Sequence, residues 1–391
     1  MDRLQLATVA CAVLSTVYSV TLQMFRFGTH ELDNAAAVAS EISLVWSWTF
    51  FTYTATRMER VEYTEVLLGF CILGSIMICV FQYSKYVAGV KYRQKDLTGK
   101  VYIVTGSNTG IGYQTALGLV RMGATVVMAC RSKDKAEEAI KKIISTVKCP
   151  PERIIFRKLD LCGFDSVKKF VRDFKELNLN LDGLINNAGM MSAERKQTMD
   201  GYEMVFTANH LSHFLLTNLL LPELEKSNGR VVNVTSSLHK LAKKYDFDDI
   251  MSEKNYNIWS NYAQSKLANI LFTQELQERL DNKKSKVICN SVHPGCVMTE
   301  VTRDMDYWMQ LGDYLATPIM ILLRKTAAQG AYCSIHCAIA DSIETNNYKG
   351  LYFMHCAPTK VGAGANDSVA RKRLWEESEK ITGLVQTKKH Q

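Results

Sequence analysis

Beyond residue 100 the hydrophobic pattern alternates between two textures. Short, mostly apolar runs at 101–104, 125–130, 154–158, 184–186 and 230–234 predict strands. Between them, 111–122, 133–145, 164–177 and 204–219 space their apolar residues three or four apart, the period of a helix with one buried face. Strands that are apolar on both faces and alternate with amphipathic helices call for a parallel sheet covered on both sides. A further helix is predicted at 260–278, where Leu267, Ile270, Leu271 and Phe272 supply a buried side.

The first 95 residues follow another pattern, that of a membrane-anchoring region. Segments 4–25 and 66–83 have the length and apolarity that a bilayer span requires, the second more strongly. Segment 35–53 is apolar and rich in Trp and Phe, but Glu41 interrupts it. A carboxylate is costly in lipid, so this run is expected to be interfacial or re-entrant, leaving two or three membrane segments. A cleavable signal peptide, cut near Ala35-Ala-Ala37, is the competing reading of the first run. The length of that run and the distance of the cut weigh against it. Lys85, Lys91, Arg93 and Lys95 follow the last segment, whereas only Arg57 and Arg60 closely precede it. Positive charge stays cytoplasmic, which predicts a cytosol-facing body at 96–385, ending in a basic tail at 386–391.

Composition adjusts this picture in two places. Residues 1–90 hold five Lys/Arg against seven Asp/Glu, and the remaining residues hold 42 against 32, within a net charge of +8. A basic body suits an anionic cofactor or membrane face. Nucleic acid is not expected as a partner, because the lysines are dispersed and no zinc-finger or RNP-type signature occurs. The eleven cysteines include no CxxC pair, and they suit buried thiols in a reducing compartment. Cys333, His336 and Cys337 lack a second ligand cluster, so no metal site is expected. Asn233-Val-Thr235 fits a glycosylation sequon but falls within a predicted strand.

Candidate chemistry sits at the ends of the predicted strands. Between the first strand and helix lies Thr105-Gly106-Ser107-Asn108-Thr109-Gly110-Ile111-Gly112. Glycines there let the backbone approach a pyrophosphate, whose charge the helix N-terminus favours. Arg131, with Lys133 and Lys135 nearby, follows the second strand, where a free ribose 2′-hydroxyl would call for an acid. A 2′-phosphate fits better, so NADP(H) is preferred over NAD(H). Tyr262 and Lys266 are four residues apart on one helix face. A neighbouring ammonium is expected to lower the phenol's pKa and fit it for proton transfer.

Taken in order, these motifs resemble the short-chain dehydrogenase/reductase superfamily. The resemblance rests on the glycine loop, Asp160-Leu161, Asn186-Asn187-Ala188-Gly189, Asn209, Ser237 and Tyr262-x-x-x-Lys266. Val231-Val-Asn-Val-Thr-Ser-Ser237, Val292-His-Pro-Gly295 and Leu374-Trp-Glu-Glu-Ser378 look like its retinol dehydrogenase-like branch. It spans about 96–385 and implies a Rossmann-type doubly wound α/β fold. It does not account for the long front.

The resemblance also implies roles. Tyr262 would exchange a proton with the substrate oxygen, Ser237 would hydrogen-bond that oxygen, and Lys266 would hold the nicotinamide ribose. Asn209 would support a relay water at a helix distortion. Asp160, Asn187, Ala188, Gly189, Pro294, Gly295, Val297 and Thr299 would line the cofactor, whereas His293 is expected to be structural. Residues 301–323, rich in aromatic and aliphatic side chains, fall where the family carries its substrate lid. The expected activity is membrane-bound, NADP(H)-dependent interconversion of a lipophilic alcohol with its aldehyde or ketone, on endoplasmic reticulum membrane facing the cytosol. Retinoids lead as substrate, with steroids, polyprenoids and fatty aldehydes as alternatives. A catalytically idle NADP(H)-binding scaffold is the alternative of another class. A homo-oligomer is compatible with the sequence.

Overall fold

The computed structural model describes residues 74–75, 91–297 and 325–384. By its contacts the chain divides into two units, Met1–Tyr83 and Ser84–Gln391. Segments 4–25 and 35–53, the 66–83 run apart from helical Gly74 and Ser75, Thr299, the 301–323 stretch and the 386–391 tail lie outside the described residues. Among the described residues, no helix is long and apolar enough to cross a membrane.

The second unit is built on one eight-stranded sheet of order β3-β2-β1-β4-β5-β6-β7-β8. Its strands are β1 Val101–Thr105, β2 Thr125–Cys130, β3 Ile154–Lys158, β4 Gly183–Asn186, β5 Arg230–Val234, β6 Ile288–His293, β7 Tyr352–Met354 and β8 Ala357–Pro358. The first seven are parallel, and the short β8 runs back antiparallel along β7. Helices α1 Gly110–Arg121, α2 Lys133–Val147, α3 Phe164–Lys175, α4 Ser212–Ser227, α5 Ile258–Asn282, α6 Ala327–Ile339 and α7 Ser368–Thr382 cover it. The order reverses between β1 and β4, and an open parallel sheet binds ligands outside its strands' carboxyl ends at such a point.

Alternation along each strand decides which layer holds which side chain. Val101 and Ile103 of β1 enter one apolar cluster with α3, α4, α5 and α7. Tyr102 and Val104 enter the other, with α1, α2 and α6. Ile103, Leu184, Ile185 and Leu119 are wholly excluded from solvent. Each such side chain contributes roughly 1.5–3 kcal/mol of burial. Exposed helix-surface pairs such as Lys133–Glu137 contribute far less, so the two apolar layers hold the fold.

The predicted strands reappear with shifts of at most a residue. The helix predicted at 204–219 is longer and broken in character. Met204–Phe206 begins it, Thr207–Leu211 forms a π-helical turn, and α4 follows without a gap and keeps Pro222 within it. Asn233 is buried in β5, with its side-chain amide donating to Thr273 at 2.9 Å, as the strand placement of the sequon anticipated.

Candidate active site

The site grows from the carboxyl edge of the sheet. Gly106 and Gly110 adopt φ of +63° and +56°, conformations that L side chains rarely enter. Gly112 is glycine for a different reason. A Cβ there would lie 2.3 Å from the Gly106 carbonyl oxygen and 2.5 Å from the Asn187 amide nitrogen. Thr109 precedes α1 without a side-chain cap, and no acid occupies the helix's first turn, so its amides keep their positive end for an anion. Ser107 is buried, its hydroxyl 3.4 Å from the Cys130 thiol, while Asn108 and Ile111 are half-buried. A cradle that added methyl groups would fill suits a pyrophosphate-bearing dinucleotide.

Arg131 stands exposed directly after β2, and Asp160 lies two residues past β3 on the same edge. The Asp160 carboxylate accepts from the Cys162 amide at 3.0 Å, and the Leu161 carbonyl accepts from Ser212 at 2.6 Å. After β4, the Asn187 and Ala188 amides both donate to the Thr105 hydroxyl oxygen at 2.9 Å, and Asn187 Nδ2 donates to the Thr105 carbonyl. A Cβ on Gly189 would stand 3.1 Å from the Lys266 amine, so this glycine leaves room for the lysine.

Helix α5 carries Tyr262 and Lys266, both almost wholly buried. Lys266 Nζ donates to the Val234 carbonyl at 3.1 Å and lies 5.5 Å from the Tyr262 ring centroid. Here the electrostatic expectation is reversed. Burial pushes the Tyr262 phenol up to about 12, opposed by a hydrogen bond from Ser236, and burial pulls Lys266 down to about 8. The ammonium sits near the ring rather than paired with the hydroxyl, so loss of water outweighs attraction to the neighbouring charge.

Of the two adjacent serines it is Ser236 that acts on the Tyr262 phenol, its side-chain hydrogen bonding opposing the effect of burial, and Ser237 is not among the groups acting on it. Ser237 is exposed and opens the 3-10 turn Ser237–Leu241, its backbone amide donating to His293 Nδ1 at 3.2 Å. The cause lies where β5 ends. Thr235 still bonds across to the Val292 carbonyl, so Ser236 is the first residue past the ladder and caps the turn, turning Ser237 outward. His293, buried and held neutral with its pKa near 3, serves this loop, as a structural histidine should.

Asn209 lies in the π-helical turn with its side chain fully committed. Its oxygen accepts from the Met190 amide at 2.8 Å, and its nitrogen donates to the Met190 carbonyl and Ser265 hydroxyl at 3.0 Å each. The Asn209 carbonyl accepts from Asn269 Nδ2 at 3.0 Å and pairs with His213 Nδ1 at 3.1 Å. Burial lowers His213 to about 3, so it is neutral, Nδ1 donates to that carbonyl, and Nε2 accepts from Thr105 at 3.0 Å. His210, lowered to about 4, links Asn269 to Ser378 of α7. This chain of bonds from α7 to β1 had no signature in the sequence beyond isolated His and Asn residues.

Past β6, Pro294 is buried and Gly295 has φ of +95°. The buried Lys325 stem packs against Gly295, and a Cβ there would lie 2.7 Å from it. Val297 pairs with Lys325 in a parallel bridge and touches α6 where Gly330 meets Ile111, which brings this loop against the glycine cradle. Lys325 was not singled out by sequence reasoning.

Residues 100–310 match the short chain dehydrogenase family model. Human retinol dehydrogenase 11 is 41% identical over 300 residues, covering 76% of this chain and 90% of its own. A crystal structure of an uncharacterized Mycobacterium paratuberculosis protein superposes with a TM-score of 0.60 at 31% identity, over 75% of this chain and 98% of that one. A short chain dehydrogenase from Escherichia coli CFT073, complexed with NADPH, shares the fold at a TM-score of 0.51 and 23% identity, covering 68% and 100%. By these matches the chain belongs to the short-chain dehydrogenase family of oxidoreductases, in its retinol dehydrogenase-like branch.

Proposed function

We propose that this protein is a membrane-bound, NADP(H)-dependent oxidoreductase that interconverts a lipophilic alcohol and its aldehyde or ketone, with a retinoid as the first candidate. The observation that carries the reading is Tyr262, buried, acted on by Ser236 and one helical turn from Lys266, whose amine packs at Gly189 in the same loop as Asn187, the residue that meets Gly112 of the cradle. The names of the similar retinol dehydrogenases support the retinoid class.

When bound, the nicotinamide supplies the hydride acceptor or donor. Gly106, Ser107, Asn108, Thr109, Gly110, Ile111 and Gly112 would hold the dinucleotide's phosphates. Asp160, Leu161, Asn187, Ala188 and Gly189 would flank its adenosine half, and Pro294, Gly295, Val297 and Thr299 its other end. Arg131, exposed at the end of β2, supports pairing with a 2′-phosphate. Replacing Arg131 by Asp should reverse the preference between NADPH and NADH, and unchanged selectivity would remove the argument for NADP(H).

The proton belongs to this chain's residues. With its pKa raised to about 12, Tyr262 carries its proton at neutral pH and is set to donate it to a carbonyl oxygen, the direction of reduction. Ser236 Oγ would hold the same oxygen. Lys266, even at about 8, stays largely protonated at neutral pH, and its charge favours the tyrosinate left behind. Asn209 positions these groups by pinning Met190 and Ser265. We place the protein in endoplasmic reticulum membrane with this unit facing the cytosol, on the strength of Lys85, Lys91, Arg93 and Lys95.

Microsomes carrying the protein, given NADPH and a mixture of lipid aldehydes and ketones, test the whole reading by mass spectrometry. Retinal reduced faster than steroid, polyprenoid and fatty carbonyls is the expected result. Tight NADPH binding with no product across the mixture would leave a cofactor-binding scaffold instead.

A further inference from the structure

The opposite edge of the sheet holds a feature that the chemistry does not use. Just ahead of β1, β2 and β3, a groove of about 570 Å³ opens between the end of α1 and the end of α2. Lys95, Asp96, Arg121, Lys148, Cys149 and Arg153 line it. Its one acid, Asp96, is exposed: Oδ1 accepts from the Thr98 amide at 3.0 Å and the Thr98 hydroxyl at 2.7 Å, and its charge acts on Arg153, so the lining carries four cations to one acid. Lys95 pairs with Asp341, which Arg93 also faces. Arg121 and Lys148 are exposed, and Lys148 is fixed in a left-handed cap with φ of +56° that ends α2 at the groove.

We propose that this groove docks on the anionic headgroups of a phospholipid bilayer. The argument rests on charge and on reach. Exposed cations gathered on one edge, with Lys91 and Arg93 beside them in sequence, match the negative cytoplasmic leaflet. The apolar run at 66–83 ends thirteen residues before Asp96, a tether of at most about 45 Å when fully extended. A surface held that close to lipid meets headgroups at high effective concentration, so each modest charge contact counts. The proposal rests on the membrane-bound reading above and adds which face of the unit meets the lipid, and which lipids it selects.

Cys149, half-buried in the groove, is a built-in reporter, and exposed Cys296, past the far end of β6, is its control. The full chain would be reconstituted in phosphatidylcholine vesicles with or without phosphatidylserine. Maleimide labelling of each cysteine would then be followed by peptide mass spectrometry. Phosphatidylserine should slow labelling of Cys149 by about tenfold, leave Cys296 unchanged, and lose its effect at high salt. Lys148→Glu with Arg153→Glu should abolish the slowing. The milder pair Arg121→Gln with Lys148→Gln should reduce it, and unaltered NADPH binding would show that each variant is folded. Equal Cys149 labelling in both lipids, with the chain retained by neutral vesicles, would overturn the docking surface alone. A chain retained by neither vesicle would overturn both the docking surface and the membrane reading. Slowing that persists in the glutamate pair would also sink the groove, by assigning the effect to another surface.

Discussion

The two halves of the carboxyl edge do their work with different parts of the polypeptide. Around β1 and β2 the site is backbone: Gly106 and Gly110 at positive φ, Gly112 with no space for a Cβ, and uncapped amides at the start of α1. Around β5 and α5 it is side chains, the buried Tyr262, Lys266, Asn209 and His213 with half-buried Ser236 beside them. A backbone cradle tolerates little change of shape but needs no particular pKa. A buried polar cluster keeps its shape under small substitutions, yet every change alters proton affinity. Binding should therefore fail from one half and chemistry from the other.

The sharpest break should come from Tyr262→Phe. It keeps the ring and removes the proton, so turnover should fall by about a thousandfold or more while NADPH affinity stays unchanged. Retained turnover would end the proton-transfer reading. Next, Ser236→Ala should lower kcat by about a hundredfold, the cost of losing one donor to a reacting oxygen. Ser237→Ala should stay within about twofold, its hydroxyl being exposed, as surface changes usually are. The reverse ranking would restore Ser237 as the working serine.

On the cofactor side, Gly112→Ala should weaken NADPH binding by about tenfold or more, because its methyl meets backbone that cannot give way. Equilibrium binding by fluorescence would measure this, and unchanged affinity would mean the cradle is not where the dinucleotide sits.

The last comparison concerns acid, and it reads stability rather than activity. His210, His213 and His293 are neutral when folded, with values of about 4, 3 and 3, whereas the unfolded chain takes up protons near 6.5. Between these limits the unfolded state binds more protons, so stability falls as pH drops from about 6.5 towards 4. The denaturant midpoint should be lower at pH 5 than at pH 7. An unmoved midpoint would contradict the neutral hydrogen-bonded histidines.

Much of the fold is written in residue order because its signals are local. An apolar run reads as a strand, a three-to-four spacing reads as a helix face, and a glycine reports its own φ without reference to distant residues. The Tyr262–Lys266 spacing is local in the same sense. The choice between Ser236 and Ser237 is not, since it depends on where β5 leaves its ladder with β6, set by the Thr235 bond to Val292. Nor is the direction of the Tyr262 shift, which burial by the surrounding layers decides over an adjacent lysine. The His210–Ser378 bond joins residues 168 apart in the chain, and the Lys325 wedge beneath Gly295 joins two loops that have no common motif. Periodicity and backbone conformation are properties of neighbours along the chain. Desolvation and hydrogen-bond partnership are properties of neighbours in space, and these needed the folded sheet.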